Sequence, residues 1–331
     1  MSNIKRKKKL IFKFFTIALV IIFFMSGALM LIDLWEKNRD NEKFSDYKVK
    51  ESVKIFDGKE YVRKENIETF LVIGLDKYKG EITSDSYNND QVADFLMLIV
   101  YDNDKKEWKS LHLNRDTMAK MNILGVAGDK VDTVTKQIAL AHTYGKGGDI
   151  SCNNTVNAVS ELLPNEKINH YVSITMDTFM KYNDYVGGVE VEILDDFKGV
   201  DDTLIKGQRV LLKGEHALNY VRTRKGLEDS TNDTRMNRQQ QYIEALHKKI
   251  KECIESDANF ILNAPLEEAD YIYSDRSINQ LKELANKMFE YKRTEIEGIK
   301  GETKMGEKFI EFYPDKDSIK EVVKELFYQP K

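Results

Sequence analysis

The chain has 331 residues, of which 41% are hydrophobic and 10% aromatic, a composition that supports a substantial buried core and excludes a disordered protein. The formal net charge at pH 7 is −4, and without residues 1–34 there remain 45 basic and 54 acidic residues, a net charge of −9. A chain this acidic is poorly suited to binding nucleic acid. Cys152 and Cys253 are the only cysteines, so there is no zinc framework; they form either one disulfide or two free thiols.

The N-terminus has the pattern of a membrane anchor. Five consecutive basic residues, 5–9, precede an uncharged run of 19 residues at 14–32, which is long enough to cross a bilayer as a helix. Because positive charge stays on the cytoplasmic side, we expect a cytoplasmic tail at 1–13, a transmembrane helix at 14–34 and an extracellular remainder. The alternative is a cleaved signal peptide with Ser26 and Ala28 at the cleavage site, but the apolar run continues past Ala28 and favours a retained anchor.

A charged, weakly patterned stretch at 35–66 is predicted to be an extracellular stalk, and the folded domain is predicted at 67–331. Within that domain, apolar or alternating runs at 70–74, 95–101 and 108–113 predict three strands of one sheet.

Helices and strands are then expected to alternate along the chain. The spacing of apolar residues predicts helices at 133–144, 155–163, 177–185, 237–255, 278–291 and 318–327, and strands at 171–175, 189–193 and 308–312. Asn153 and Asn154 are the expected caps of the second helix. Such alternation is typical of the α/β class, and no internal repeat calls for a second folded domain.

Two aspartates fall at strand ends. Asp76 follows the first predicted strand and Asp94 precedes the second, so both meet at one sheet edge if the strands are antiparallel neighbours. Paired carboxylates suit Mg²⁺, which takes one or two protein carboxylates and shares its other positions with water and phosphate. The alternative is a pair of solvated loop aspartates.

An arginine follows the third predicted strand. Arg115 lies at the same edge of the sheet and could meet a phosphate bound to that cation. The alternative is a surface ion pair with Asp116, a residue that otherwise has the position of a helix N-cap.

The segment 222–241 is rich in arginine against a lysine-rich background. The chain has 40 Lys and 11 Arg, yet 222–238 holds four Arg and one Lys. Arg222 and Arg224 point the same way if the preceding helix ends near residue 221, because residues two apart share a face only in extended chain. Arg235, Arg238 and Gln239 share one face at the start of the long helix. Since the guanidinium fork grips phosphate oxygens in pairs, these five residues predict an oxyanion site, and a solvated basic face is the alternative.

Other catalytic patterns are missing from the sequence. There is no spacing typical of a Ser-His-Asp or Cys-His centre, of a dinucleotide-binding glycine motif or of a Walker motif.

The ordered motifs of the chain resemble the LytR-CpsA-Psr family. They are GLD at 74–76, AD at 93–94, NRDTM at 114–118, AHTYGKGG at 141–148, VGGVEV at 186–191, LKGEHALNYVRTRK at 212–225 and RMNRQQ at 235–240. The resemblance covers about 67–331. It implies an α/β/α sandwich with a mixed central sheet, a groove for a polyprenyl chain, and extracytoplasmic transfer of a glycopolymer from a polyprenyl-pyrophosphate carrier to peptidoglycan.

The resemblance also implies roles for the residues selected above. The magnesium ligands are expected to be Asp76 and Asp94, and the pyrophosphate ligands Arg115, Arg222, Arg224, Arg235 and Gln239. Arg238 is added to the expected pyrophosphate ligands because it shares the helix face of Arg235. Catalysis is assigned to Asp94, Arg115, Arg222 and Arg224, with the membrane lipid, the lipid-linked donor and peptidoglycan as partners.

Several positions depart from the family pattern. An arginine expected shortly after the first aspartate is replaced around 77–79, and the residues flanking the second aspartate are Val92 and Phe95. Asn114 stands where the family has proline, and Asn232 where it has an acidic residue. Two other functions use the same residues: a sensor that binds lipid pyrophosphate without transfer, and a hydrolase with water as nucleophile.

Overall fold

The structure is a computed structural model that describes residues 53–78, 89–227, 231–265 and 272–331. The predicted cytoplasmic tail at 1–13 and transmembrane helix at 14–34 lie outside these residues. Within the described ranges, no helix is both long enough and apolar enough to cross a membrane.

Fifteen strands and six α-helices are formed by the described residues. The strands are β1 (Lys54–Phe56), β2 (Lys59–Arg63), β3 (Ile67–Leu75), β4 (Ala93–Asp102), β5 (Glu107–Leu113), β6 (Met118–Leu124), β7 (Lys130–Gln137), β8 (His170–Ile174), β9 (Val189–Glu192), β10 (Arg209–Leu212), β11 (Ile272–Ser274), β12 (Lys292–Arg293), β13 (Gly301–Met305), β14 (Ile310–Pro314) and β15 (Tyr328–Pro330). The helices are α1 (Gly148–Leu162), α2 (Met176–Tyr185), α3 (Gly214–Arg222), α4 (Asn232–Ser256), α5 (Ile278–Glu290) and α6 (Lys316–Phe327), with a 3₁₀ helix at Ile138–Thr143.

The central sheet has six strands in the order β11-β8-β3-β4-β5-β12. β3, β4 and β5 are antiparallel neighbours, whereas β8 runs parallel to β3 and β12 runs parallel to β5. The sheet is therefore mixed, as the resemblance implies, and the prediction that the first three strands share one sheet is confirmed. The antiparallel pairing on which the meeting of Asp76 and Asp94 depended is present.

Both faces of the sheet are buried, which explains why its inner strands are almost continuously apolar. Leu71, Leu98 and Leu111 point to one face and pack with α1 and α6. Alternate residues such as Phe70 and Ile99 point to the other face and pack with Leu284 of α5. This gives the helix–sheet–helix layering expected of an α/β/α sandwich.

A second hydrophobic core lies outside the central sheet. It joins the β9–β10 hairpin to helices α3 and α4 around Phe197, Tyr220 and Tyr242. The apolar face of α4 therefore packs against α3, and this packing fixes the segment that carries the arginines.

Three predicted elements differ in the structure. The first half of the predicted helix at 133–144 is β7, paired with β6 in a hairpin, and only its second half is helical, as the 3₁₀ turn. Helix α1 begins at Gly148 instead of 155, so Asn153 and Asn154 lie inside it and are not its caps. β1 and β2 occupy part of the stretch predicted as stalk, because β2 pairs with β15 near the other end of the domain.

A buried carboxylate secures that N-terminal hairpin. Glu166 is 3% exposed and accepts hydrogen bonds from Lys54, Arg63 and the hydroxyl of Tyr328. Because every charge-bearing oxygen of Glu166 is paired, this cluster is structural.

Candidate functional site

The site lies where β3 ends, and it is shaped by a β-bulge. Gly74 pairs with Phe95 and Leu75 pairs with Ala93, which leaves Asp94 as the extra residue of β4. A bulge re-aims the side chain of its extra residue, here toward the edge of the sheet. Gly74 is required because a Cβ there would come within 2.9 Å of the Cβ of Phe95.

Asp94 holds two of the predicted arginines. Its Oδ1 lies 3.0 Å from Nη1 of Arg115, and its Oδ2 accepts a hydrogen bond of 3.0 Å from Nη1 of Arg235. Burial lowers the pKa of Arg235, and the neighbouring Asp94 carboxylate opposes this by raising it. Asp94 therefore anchors the two cations that arrive from β5 and from α4.

Asp76 and Arg222 form the outer part of the same site. α3 ends at Arg222 and Thr223 is extended, as the prediction of converging arginines required. Arg222 donates from Nε to Oδ1 of Asp76 at 2.7 Å, and its side chain is 45% exposed. This arginine is the most accessible of the group and is free to turn toward a ligand.

Asp116 is a further member of the site that the sequence reasoning placed elsewhere. No helix begins there. Instead, Asp116 is buried, with Arg224 at 3.2 Å from Oδ2 and with Gln137 donating to Oδ1 at 2.8 Å. Burial raises the pKa of Asp116, while Arg115, Arg224 and Arg235 pull it down. Asp116 thus positions Arg224 as Asp94 positions Arg115.

Arg238 and Gln239 do not join the cation cluster. The Arg238 side chain is fully buried between the rings of Phe197 and Tyr220, where it donates to the carbonyl oxygens of Tyr220 and Thr223 and pairs with Asp195 at 2.9 Å. The side-chain amide of Gln239 donates to the carbonyl of Val221 at 3.0 Å. The prediction of Arg238 as a pyrophosphate ligand is not supported by this placement.

These two residues instead hold the end of α3. Together they satisfy three carbonyl oxygens that helix termination leaves open, and so fix the loop that carries Arg222 and Arg224.

An apolar cavity opens beside the charged residues. Its volume is about 220 Å³, and its walls come from the ends of β3 and β8 and from α2, α3 and α4. Phe179, Leu218 and Leu246 line its apolar part, whereas Asp76, Asp94, Arg222, Arg235 and Gln239 lie on its border. The arrangement suits a ligand with an apolar tail and a charged head.

Carboxylates and guanidinium groups nearly balance in the charged cluster beside this cavity. The carboxylates of Asp76, Asp94 and Asp116 face four guanidinium groups, so the described cluster has a formal charge of +1. Within the described residues, no three His, Cys, Asp or Glu side chains converge on a common metal position. Asp76 and Asp94 supply the two protein oxygens that a hard cation takes, and Oδ1 of Asp94 makes the ion pair with Arg115 but no hydrogen bond.

Two positions that depart from the family pattern contact each other. Asn232 donates from Nδ2 to Oδ1 of Asn114 at 2.7 Å, and its own Oδ1 accepts from Arg235. The pair therefore links the end of β5 to the start of α4 directly behind the arginines. Of the other departures, Lys77 pairs with Asp90 and Phe95 lines the apolar cavity, while Lys79 lies outside the described residues.

A buried Cys-His contact supports the segment before Asp94. Nδ1 of His142 donates to the carbonyl of Gln91, and its Nε2 lies 3.6 Å from Sγ of Cys152. Burial lowers the pKa of His142 to about 4 and raises the pKa of Cys152 to about 12. Both groups are neutral at pH 7, so this contact is not a nucleophilic pair, and Cys152 and Cys253 are both free thiols.

His142 makes the stability of the protein depend on pH. Its folded-state pKa lies below the unfolded value of about 6.5, so the unfolded chain takes up the proton first, and stability is lost as pH falls from about 6.5 toward about 4. We expect His142 to contribute a loss of about 2 to 3 kcal/mol in the free energy of unfolding over this window, and His112, whose pKa burial also lowers to about 4, to add to that loss; urea denaturation measures the sum. His142→Asn keeps a donor for Gln91 and should flatten the slope, whereas His216→Asn, on an exposed histidine, should not. An unchanged slope in His142→Asn would contradict this assignment.

The fold and the site define an α/β protein that gathers arginines and carboxylates at one sheet edge beside an apolar cavity. The LytR_cpsA_psr family model matches residues 28–327. The chain belongs to the LytR-CpsA-Psr family.

Curated relatives of the chain are named as teichoic acid transferases. The chain is 33% identical over 158 residues to the polyisoprenyl-teichoic acid–peptidoglycan teichoic acid transferase TagU of Halalkalibacterium halodurans, a match that covers 47% of each chain. It is 27% identical over 253 residues to the TagU transferase of Bacillus licheniformis, covering 74% of this chain and 72% of the relative. The chain spans about half the length or less of the first curated relatives that it matches.

Solved structures share the fold. The structure of Bacillus subtilis TagV has a TM-score of 0.57 at 24% identity, covering 78% of this chain and 95% of that one. A structure of TagT bound to LI-WTA has a TM-score of 0.57 at 21% identity, covering 78% and 89%. At these identities the likeness concerns the fold alone.

Proposed function

We propose that this protein transfers a glycopolymer from a polyprenyl-pyrophosphate carrier to peptidoglycan. The observation that carries the proposal is the junction of a cation cluster with an apolar cavity, because a lipid pyrophosphate is the ligand whose charged and apolar parts match both. The relatives' printed names, which describe polyisoprenyl-linked teichoic acid and peptidoglycan, support the same substrates.

The arginines supply the electrostatic part of catalysis. A hydroxyl oxygen of the acceptor sugar attacks the phosphorus that carries the glycan, and the bond from that phosphorus to the polyprenyl phosphate oxygen breaks. Polyprenyl phosphate leaves, and the acceptor hydroxyl gives up its proton. Arg115, Arg222, Arg224 and Arg235 stabilise the charge that grows on the phosphoryl oxygens and on the leaving group, because they are held in place before the reaction begins.

The carboxylates hold the arginines of this cluster in position. In the ligand-free arrangement they neutralise the arginines in part, and the exposed Arg222 exchanges Asp76 for phosphate when the donor binds. Asp76 and Asp94 would hold Mg²⁺, which would offset negative charge on the pyrophosphate. Asp94 is the candidate for receiving the acceptor proton, since it lies at the centre of the cluster.

The proposed location is the cell membrane, with a single N-terminal span and the catalytic domain outside. The apolar run at 14–32 and the basic residues before it support this orientation. A membrane-bound donor and an extracellular acceptor both require it.

Product analysis tests the transfer. The full chain in detergent is incubated with a lipid-pyrophosphate oligosaccharide, peptidoglycan and Mg²⁺, and we expect polyprenyl phosphate and glycan covalently bound to peptidoglycan. Free phosphorylated glycan without a peptidoglycan product would identify a hydrolase. Tight donor binding with no product would identify a binding or sensor protein.

The guanidinium forks are tested by Arg222→Lys and Arg224→Lys. Lysine keeps the charge but loses the paired contact to phosphate, so each variant should transfer glycan on the order of 10²-fold more slowly. Initial rates with a fluorescent donor measure this. Arg209→Lys is the matched control, because Arg209 is 76% exposed on β10 away from the cavity. Near-normal rates in both site variants would refute the proposal that Arg222 and Arg224 bind phosphate through their paired N–H groups.

A further inference from the structure

A second cavity lies on the other flank of α4. Its volume is about 330 Å³, within the range of small-ligand sites of roughly 300–1,000 Å³. It is bounded by α4, by the middle of β4 and the C-terminal half of β5, and by the segment 293–298 that follows α5. Ile243 lines both this cavity and the apolar one.

The second cavity is lined by chain neighbours of the cation cluster, although no residue of the cluster lines it. His112 lines it, and Asn114 and Arg115 follow two and three residues later at the same end of β5. The rings of His112 and Phe95 lie 5.0 Å apart, and Phe95 belongs to the wall of the apolar cavity. A ligand whose tail fills the apolar cavity and whose phosphates meet Asp94 and Arg115 therefore has this second cavity beside its head.

The chemistry of this cavity differs from that of the phosphate site. Its charged residues are Asp233, Glu295 and Arg293, a formal net of −1, which disfavours a phosphate. Asn237 and Gln240, three residues apart and exposed, share one face of α4. Gln240 donates one N–H to Glu244 at 3.3 Å, so the two amides together offer two acceptors and three further N–H donors.

Apolar side chains complete the lining. Met97, Met236 and Ile296 contribute apolar surface between the polar groups. Alternating amide groups and apolar surface match a sugar, whose hydroxyls need both donors and acceptors and whose C–H faces need apolar contact.

We infer that this cavity is a saccharide subsite that holds an uncharged sugar unit next to the pyrophosphate. The sugar comes either from the donor glycan or from the acceptor strand, and both offer the same hydroxyl and acetamido chemistry. The identity of the reaction rests on the proposed function, but the binding of sugar does not.

Binding is tested with the full chain in detergent and the uncharged disaccharide of two N-acetylglucosamine units, which carries neither peptide nor phosphate. The double variant Asn237→Ala with Gln240→Ala should bind it about tenfold more weakly, the loss expected of two ordinary hydrogen bonds. Lys248→Ala is the matched control, since Lys248 is exposed on the same helix and lines neither cavity. Calorimetry or saturation-transfer NMR measures the affinity.

Kinetics separate the two sources of the sugar. A raised KM for peptidoglycan with an unchanged KM for donor places the acceptor in the cavity, and the reverse places the donor glycan there. The inference is overturned if the double variant binds the disaccharide as the wild type does and neither KM moves, or if a free stem peptide displaces the disaccharide. A wild type that binds the disaccharide but transfers nothing would contradict the proposed function and leave the subsite standing.

Discussion

Replacing Asp94 by Asn is expected to lower the rate of glycan transfer on the order of 10³-fold. Asp94 holds Arg115 and Arg235 with separate oxygens, each at 3.0 Å. An asparagine keeps one acceptor but turns a donor toward one of the two guanidinium groups, so at least one arginine loses its position. The variant also loses the negative charge that the proposed roles of Asp94 in holding Mg²⁺ and receiving the acceptor proton require.

The matched control is Asp90→Asn, which makes the same chemical change four residues earlier in the chain. The Asp90 side chain is 73% exposed and pairs with Lys77, so we expect its variant to keep most of the activity. Initial rates at saturating donor and acceptor measure both variants, with thermal unfolding as a check on folding. Transfer by Asp94→Asn within threefold of the wild type would remove Asp94 from the catalytic assignment.

Replacing Arg238 by Met is expected to lower the free energy of unfolding by about 3 to 5 kcal/mol, because it breaks a buried ion pair by removing one partner. The carbonyls of Tyr220 and Thr223 lose their donor, and Asp195 loses its cation. Methionine has a similar volume, so the loss reflects polar contacts more than a void. Denaturant titration measures the change.

Arg209→Met serves as the control for Arg238→Met. Arg209 forms an exposed pair with Glu190 at 3.6 Å, so its variant should stay within about 0.5 kcal/mol of the wild type. If Arg238→Met were as stable as this control, the buried contacts of Arg238 would contribute little to the free energy of unfolding. Other contacts would then have to fix the end of α3.

The central sheet was predictable because its signal is local. Residues 70–74 and 95–101 are apolar on both faces, as is typical of strands buried between two layers of helices, and 108–113 alternate between apolar and polar residues. The order of the two aspartates along the chain then sufficed to bring them to one edge.

The error at 133–144 has a physical cause. β7 is exposed or half-buried along its length and lacks a regular alternation, so its strand conformation depends on pairing with β6 and is absent from its own pattern. The helical spacing of 138–144 was real, but it extends only over the 3₁₀ turn.

The roles of Asp116 and Arg238 depended on distant contacts. Asp116 follows Arg115 directly, which suggested a local ion pair or a cap. The ion pair with Arg115 is present at 3.7 Å, but Asp116 also binds Gln137 and Arg224, which its sequence position did not indicate. Arg235 and Arg238 are three residues apart, and a helix turns about 60° short of a full circle between them. That difference in direction places Arg235 against Asp94 of β4 and Arg238 between α4 and α3. Helical spacing shows that residues share a face but not which neighbour each one meets.

The nine residues of α3 belong to two parts of the site at once. Leu218 and Val221 form part of the wall of the apolar cavity, and Arg222 at the end of the same helix meets Asp76. Because α4 holds the end of this helix through three carbonyl oxygens, a displacement of the wall is also a displacement of the arginine. The binding of the tail and the binding of the head group of one ligand are then thermodynamically linked. Free energy that the tail contributes to ordering α3 does not have to come from the head group, and the same holds in the other direction.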